Sequence, residues 1–230
     1  MNTPTITPSK ARNGSSVIEQ TSKTVTIKPP SFGTATFKIV GVAPLVIHRF
    51  SAKTKNQMKQ KMEEGKSASS KKNREAKSTD DTFEEARYRS KAGWDGFHAG
   101  AVRNACISAC RLVGYKMTLA KLSIFVEADG WDRDEPQIPL IRIHGEAVKQ
   151  EDMARVETGQ PYVTVRAAYH DWSANVKMRW DKDQFTLEDV TNLLSRVGMQ
   201  VGLCEGRPDS PNSAGMGWGL FTIDSAEEEA

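Results

Sequence analysis

Apolar residues recur with two different periods along this chain, and the shorter period is the first to appear. Ala35, Phe37 and Ile39 alternate with polar neighbours, which is typical of a strand with one buried face. The run continues to Ile47, with a bend predicted at Pro44. The pattern therefore predicts an early strand that is interrupted once.

Two other stretches repeat at three and four residues, the period of an amphipathic helix. The first covers residues 99–113, and Gly114 follows it as a C-cap. The second follows Thr186, a predicted N-cap with Asp189 in the first turn, and its apolar positions are Leu187, Val190, Leu194, Val197 and Val201.

Further strands are predicted at residues 122–126, 138–143 and 220–223. Two more alternating runs, residues 163–167 and 176–180, are separated by a short link and predict a β-hairpin. One face of this hairpin is apolar and includes Trp180, which we expect in the core. The opposite face carries Tyr162, Arg166, Lys177 and Arg179.

The order of these elements predicts an α+β fold with a ferredoxin-like, RRM-type βαββαβ core and extra strands. The domain covers residues 34–224, with a basic insertion at 52–92 and a glycine-rich loop before the last strand. Residues 1–33 are polar, without hydrophobic periodicity, and predict a disordered N-terminal arm. Residues 225–230 predict a short acidic tail.

Charge is unevenly distributed although the net value is only +3. Residues 1–79 hold 15 Lys and Arg against four Glu, whereas the remainder of the chain is net acidic. Such asymmetry favours nucleic acid or another anionic surface as a partner, and the alternative is a solvated basic segment with no specific partner.

Several function classes are disfavoured by composition. No apolar run is long enough to span a membrane, and no signal peptide is visible. The three cysteines lack the spacing of a disulfide framework or a zinc site, which suggests a reducing, cytoplasmic setting without metal or other cofactor. No nucleophile–base pair is legible, so we expect a protein that is not an enzyme.

The glycine-rich loop lies between the second helix and the last strand, in residues 202–219. Its glycines permit close approach of a ligand, its backbone N–H groups could form an anion-binding nest, and Arg207 adds a positive charge. A dinucleotide-binding fingerprint is excluded because that motif follows a strand and opens a helix. The competing interpretation is a helix-to-strand connection whose glycines serve turn geometry alone.

The early strand 39–47, the large insertion before the first helix and the glycine-rich segment 202–221 together resemble the RAMP superfamily, which supplies backbone subunits of CRISPR effector complexes. The likeness covers residues 34–224 as an order of elements, and it leaves a phage-encoded relative open. It implies binding of single-stranded RNA or DNA with little sequence preference, by copies that stack along the strand. Some members cleave RNA with a His or Asp after the first strand, near the place of His48.

Single-strand binders combine a basic groove with stacking aromatic side chains. We therefore predict a nucleic-acid-binding set whose members are His48, Arg49, Lys53, Lys55, Arg166, Lys177, Arg179, Arg207, Gly215, Gly217 and Trp218. Phe50, Trp94 and Trp172 are further aromatic candidates. For the strand residues, the alternative is a merely solvated face, and Trp218 could equally be buried.

The leading hypothesis is a non-catalytic, largely sequence-independent single-strand binding protein that forms a homo-oligomer or filament on RNA or DNA. One alternative is a phage protein that protects or anneals single-stranded DNA and recruits a protein partner through its acidic tail. Another is an RNA-processing endoribonuclease that uses His48, and a third is a purely structural assembly subunit.

Overall fold

The structure is a computed structural model, and it describes residues 27–49, 52–63, 78–155, 161–210 and 215–228. Within these ranges no helix is both long and apolar enough to cross a membrane. The strands are β1 (Phe32–Gly41), β2 (Leu45–Ile47), β3 (Tyr88–Arg89), β4 (Asp95–His98), β5 (Ile124–Val126), β6 (Gly130–Trp131), β7 (Pro139–Arg142), β8 (Val148–Arg155), β9 (Pro161–Tyr169), β10 (Ser173–Asp181) and β11 (Phe221–Glu228). The helices are α1 (Ala52–Glu63), α2 (Thr79–Ala86), α3 (Ala99–Ala109), α4 (Met117–Ser123) and α5 (Leu187–Arg196).

The main sheet has four antiparallel strands in the order β11-β1-β10-β5. Helix α3 lies between β1 and β5 along the chain, and α5 lies between β10 and β11. Alternate residues of β1 and β10 are buried, and these inward side chains join those of α3 and α5 in one core that includes Phe37, Ile39, Val176, Met178 and Trp180. The predicted mixture of helices and strands is confirmed, as is the burial of Trp180.

The opposite face of this four-stranded sheet carries the other half of each alternation, and we call it the open face. Lys38 and Phe32 of β1 lie on it, together with Asn175 and Arg179 of β10, and all four are exposed. Because successive side chains of a strand point to opposite faces, burial of one set directs the other set to solvent.

Two smaller sheets complete the described part of the molecule, in the orders β2-β9-β8 and β3-β4-β7-β6. Both contribute to the same core, through side chains such as Leu45, Ile47, Phe97, Ile141 and Tyr169. Strand β9 binds β2 on one side and β8 on the other, so the interrupted first strand passes from the main sheet into a second sheet.

Strands β9 and β10 do not form the hairpin that the sequence predicts. Strand β9 pairs with β2 and β8, whereas β10 pairs with β1 and β5. The chain turns a corner at Trp172, which is buried and donates its indole N–H to the Ala43 carbonyl oxygen at 2.9 Å. The hairpin prediction is therefore wrong, and Arg166 does not share a strand face with Lys177 and Arg179.

The helix ends follow the sequence closely. Gly114 has φ of 69° after a 3-10 turn, Cys110–Val113, that extends α3. Thr186 and Asp189 form a reciprocal capping box at the start of α5. Two elements differ from the sequence prediction. Leu122 lies in α4 instead of a strand. The predicted acidic tail from residue 225 is instead part of β11, which continues to Glu228 because Ser225, Ala226 and Glu227 pair with β1.

Candidate nucleic-acid interface

Two phenylalanine rings and an arginine meet on the open face, where β1 begins and the edge strand β5 pairs with β10. Arg179 lies opposite Thr34 on β1 and opposite Phe125 on β5, so these residues project to the same side. Its guanidinium carbon is 4.9 Å from the centre of the Phe32 ring and 5.2 Å from that of Phe125. The two rings are 5.9 Å apart in an edge-to-face arrangement. Cation–π attraction therefore holds Arg179 beside both rings, and we call these three residues the Phe–Arg cluster.

Other cations lie on or beside this face and are partly neutralised. Lys38 Nζ is 2.7 Å from Asp224 Oδ2, and Lys177 Nζ is 3.7 Å from Glu127 Oε2. Arg103 lies 5.6 Å from the Phe125 ring and donates to the Ile124 carbonyl oxygen. Arg179 differs from these because, among the described residues, no carboxylate pairs with it. Its charge is the one most available to a phosphate.

Phe32, Phe125 and Arg103 were not among the residues predicted from sequence. The signal was nevertheless present, because Phe32 falls in the polar phase of the β1 alternation and Phe125 falls between Ile124 and Val126. An aromatic residue in the solvent-facing phase of a strand is a stacking candidate. What the alternation does not give is the pairing that brings the rings of β1 and β5 together.

The glycine-rich loop is fastened to the bend between β1 and β2. Gly219 N–H donates to the Pro44 carbonyl oxygen at 2.8 Å, and Glu205 N–H donates to that of Val46 at 3.1 Å. A Cβ at Gly219 would lie 2.0 Å from the Leu203 carbonyl oxygen, and one at Gly215 would lie 2.2 Å from that of Arg207. These two glycines therefore serve packing within the loop.

Gly217 differs from its neighbours. Its φ is 75°, and a Cβ there would have nothing within 4 Å. Backbone at this position is open to solvent, so its predicted contact with a phosphate backbone stays a prediction. Residues 211–214, in the middle of the loop, lie outside the described residues.

His48 has a carboxylate partner that its sequence position does not reveal. Its Nδ1 lies 3.4 Å from Glu205 Oε2, and Arg166 Nε donates to Glu205 Oε1 at 2.7 Å. Burial raises the pKa of Glu205, but hydrogen bonds from His48 and Arg166 outweigh it and leave this pKa below its ordinary value. Arg166 also binds Asp152 at 3.0 Å. His48, Glu205 and Arg166 thus form a partly exposed cluster where the β2-β9-β8 sheet meets the glycine-rich loop, whereas the Phe–Arg cluster belongs to the main sheet.

The acidic turn after β6 forms ion pairs with two cations predicted to bind nucleic acid, Arg49 before the insertion and Lys55 within it. Arg49 is 6% exposed, and its guanidinium binds Asp132 at 2.9 Å, Asp134 at 3.0 Å and Glu135 at 3.3 Å. Lys55 Nζ binds Glu135 at 2.5 Å. Arg49 therefore supports the fold in this conformation, which leaves it no route to a phosphate. Lys53 lies in α1, but its side chain is outside the described residues.

The remaining loop candidates have structural partners. Arg207 Nη1 donates to the Cys204 carbonyl oxygen at 2.9 Å. Trp218 is half-buried, and a Cβ at Gly206 would lie 2.2 Å from its ring, so the indole packs on the loop's own backbone. Trp172 is buried at the β9–β10 corner and cannot stack on a base, while Phe50 lies outside the described residues.

Metal ligation has no support in the described ranges, where no three His, Cys, Asp or Glu side chains are grouped to hold an ion. Burial raises the pKa of the Cys106 and Cys204 thiols to about 12, which keeps both protonated at neutral pH.

Comparison with known proteins gives structural neighbours but no sequence relative. No protein-family model matches the chain, and no curated protein matches it. Among solved structures, the chain is similar to one in the cryo-EM structure of the type III-B Cmr-beta bound to cognate target RNA. The two share 7% sequence identity at a TM-score of 0.46, with 86% of this chain covered. The chain spans 60% of that neighbour's length.

Proposed function

We propose that this protein binds single-stranded nucleic acid without cleaving it, and that the strand lies on the open face of the main sheet. The observation that carries the proposal is the Phe–Arg cluster: Phe32 and Phe125 flank Arg179 on an exposed sheet surface. Aromatic rings stack on bases of any sequence, at about 1–3 kcal/mol per base, while a cation beside them attracts the phosphates. Both contributions are largely independent of sequence.

The strand order supports assignment of the main sheet to the ferredoxin-like class. Taking the first, second, third and fourth core strands as β1, β5, β10 and β11, the sheet order is fourth-first-third-second, with α3 and α5 as the two crossovers. RNA-recognition modules of this class present stacking aromatics on the uncovered face of a four-stranded sheet. The insertion after β2 and the loop before β11 keep the order of elements that resembles the RAMP superfamily.

The test is a binding titration with fluorescent 20-nucleotide U and dT oligomers at several salt concentrations. Affinity should fall as salt rises, because phosphate contacts release counterions. Arg179→Ala should weaken binding of both oligomers and reduce the salt slope by about one. The matched control is Arg196→Ala, since Arg196 is an exposed arginine on α5, on the helix-covered side of the sheet.

Phe125→Ala should weaken binding by roughly 5- to 150-fold, the range that corresponds to the loss of one stacked base. Equal affinities of wild type, Arg179→Ala and Phe125→Ala would contradict the open-face assignment. The comparison of U with dT oligomers also decides between an RNA-binding protein and the alternative of a phage single-stranded DNA-binding protein.

A second candidate function is supported by the pairing of His48 with Glu205. A carboxylate that orients an exposed imidazole is a usual feature of a general base. We favour the non-catalytic function because Arg166 also engages Glu205, which ties the carboxylate into a structural ion pair. Incubation with labelled RNA decides: the endoribonuclease interpretation requires cleavage that His48→Ala abolishes.

Oligomerisation along the strand is part of the proposal and has its own measurement. Sedimentation velocity with and without a 60-nucleotide oligomer should show assemblies only when nucleic acid is present.

The acidic residues at the end of β11, including Glu227 and Glu228, are the proposed surface for a protein partner. We propose a cytoplasmic location, in keeping with three cysteines that are free.

A further inference from the structure

A cavity of about 290 Å³ adjoins the open face where β10 meets the β3-β4-β7-β6 sheet. It is lined by Trp94, Asp129, Arg142, His144 and Asn175. A second cavity, of about 430 Å³, shares Trp94, Arg142 and His144 with it. Asn175 belongs to the open face and lies two positions from Lys177 on the same side of β10. The cavity therefore continues the surface that carries the Phe–Arg cluster, ~13 Å further along the strand at the usual rise per residue.

Two glycines hold the Trp94 indole against the neighbouring sheet. A Cβ at Gly96 on β4 would lie 3.0 Å from the ring, and one at Gly130 on β6 would lie 2.9 Å from it. Only glycine leaves room for the ring on both strands. The benzo ring of the indole therefore packs against the backbone of two strands, and Trp94 lines both cavities, so the ring is held at the cavity wall as a flat platform.

The arginine beside this platform has no partner for its guanidinium among the described residues. Arg142 is exposed, and no hydrogen bond or ion pair of its guanidinium with another described residue is present. Its backbone N–H donates to Asp129 Oδ2 at 2.8 Å, which fixes the start of the side chain at the cavity wall. Elsewhere in the described ranges, arginines such as Arg49, Arg87 and Arg166 are held by carboxylates.

His144 and Asn175 place hydrogen-bonding groups around the same space. The backbone of His144 exchanges two hydrogen bonds with Ser173, at 2.8 Å and 2.9 Å, and so ties the cavity wall to β10. The imidazole is exposed, as is the Asn175 amide. A flat apolar ring, an unpaired guanidinium and short polar side chains are the groups that recognise a stacked base and its phosphate.

We propose that this cavity binds one unstacked nucleobase of the strand that lies on the open face, with the base on Trp94 and its phosphate on Arg142. The inference rests on the proposed function and extends it, because it adds a second stacking position on a separate sheet. The nucleic-acid strand runs from the Phe–Arg cluster along β10 and past Lys177, and one of its bases enters the cavity beside Asn175.

Trp94→Leu and Arg142→Ala test the inference, with Trp131→Leu as the matched control. Trp131 is a tryptophan of the same sheet that is 52% exposed and does not line either cavity. The probes are the 20-nucleotide U and dT oligomers. Trp94→Leu should bind roughly 5- to 150-fold more weakly than wild type, the loss expected for one stacked base. Arg142→Ala should bind more weakly, and the slope of log affinity against log salt should fall by about one, because one phosphate contact is lost.

The outcomes separate this inference from the proposed function. If the wild type binds the oligomers and both cavity variants bind as tightly as Trp131→Leu, the cavity inference is overturned while the open-face function stands. If the wild type binds neither oligomer at low salt, both fail together. Melting temperatures accompany each titration: should Trp94→Leu melt at a much lower temperature, the exposed Arg142→Ala variant decides alone.

Discussion

Replacement of Arg49 by methionine tests whether this arginine stabilises the fold or contacts nucleic acid. Its side chain is 5% exposed and that of Asp132 is 0% exposed, so the pair is removed from water. In Arg49→Met, the Asp132 carboxylate would still accept hydrogen bonds from the backbone N–H groups of Asp134 and Glu135, at 2.9 Å and 2.7 Å, but it would lose its counter-ion. Breaking a buried ion pair from one side costs about 3–5 kcal/mol, because a charge is left uncompensated.

The expected result is a large loss of stability. For a chain of 230 residues, 1 kcal/mol corresponds to about 2–4 °C in melting temperature, so Arg49→Met should melt ~6–20 °C below wild type. Urea denaturation at 25 °C should give the same free-energy difference. The matched control is Lys55→Met, which removes a second cation that pairs with the same acidic turn. Its Nζ binds Glu135 from a side chain that is 37% exposed, where ion pairs contribute about 0–1 kcal/mol.

A rescue sharpens the experiment. Adding Asp132→Asn to Arg49→Met removes the unpaired charge but keeps an oxygen that accepts the two backbone N–H groups, so the double variant should melt above the single one. The reasoning is refuted if Arg49→Met melts like wild type and instead binds U and dT oligomers more weakly. In that case Arg49 reaches the phosphates, as its place after the first strand suggested.

Three further predictions concern the loop and its cluster. Gly219→Ala should lower the melting temperature, because the added Cβ would lie 2.0 Å from the Leu203 carbonyl oxygen. Gly217→Asn should leave the melting temperature unchanged, because Asn tolerates φ of 75° and the space around this position is open. If the loop contacts phosphate, Gly217→Asn should bind oligomers more weakly at unchanged stability, and unchanged affinity would leave the loop a connector. Glu205→Gln should melt at a lower temperature than wild type at pH 7, and this difference in melting temperature should disappear in acid. The pKa of Glu205 in the folded protein lies below the ordinary 4.5, so its ion pairs contribute fully above pH 4.5 and are lost as the pH falls through the folded-state pKa. A gap that is constant from pH 7 to pH 3 would contradict the ion-pair geometry. Arg207→Ala should lower the melting temperature only slightly, because it removes a single hydrogen bond within the loop, from the guanidinium to the Cys204 carbonyl oxygen. A reduced salt slope of binding would identify Arg207 as a phosphate contact.

The sequence by itself determined which residues β1 and β10 bury. Alternation in Ala35, Phe37 and Ile39 predicted the inner face of β1, and the same rule predicted that Trp180 would be in the core. Gly114 and Thr186 predicted a helix end and a helix start because capping depends on residues within one turn. These features are local, so neighbouring residues contain all the information they require.

The candidate site was predictable only in part. Lys177 and Arg179 were expected on a solvent-facing strand surface, and they lie on the open face. Arg49 looked equally available but is enclosed by carboxylates more than 80 residues away in sequence. A cation in a sequence does not show whether an anion will be folded onto it, because that anion can come from any later element.

Only the tertiary structure decided which strands pair, and the site depends on that choice. Strands β9 and β10 follow each other closely, yet they belong to different sheets: β10 pairs with β1 from Phe32 to Val40, and β9 joins β2 with β8. The same pairing brings Phe32 beside Phe125 across β10, although 92 residues separate them in the chain. Strand partners are selected by long-range burial of apolar surface. Periodicity gives the face on which a ring lies, and packing alone decides which ring will stand beside it.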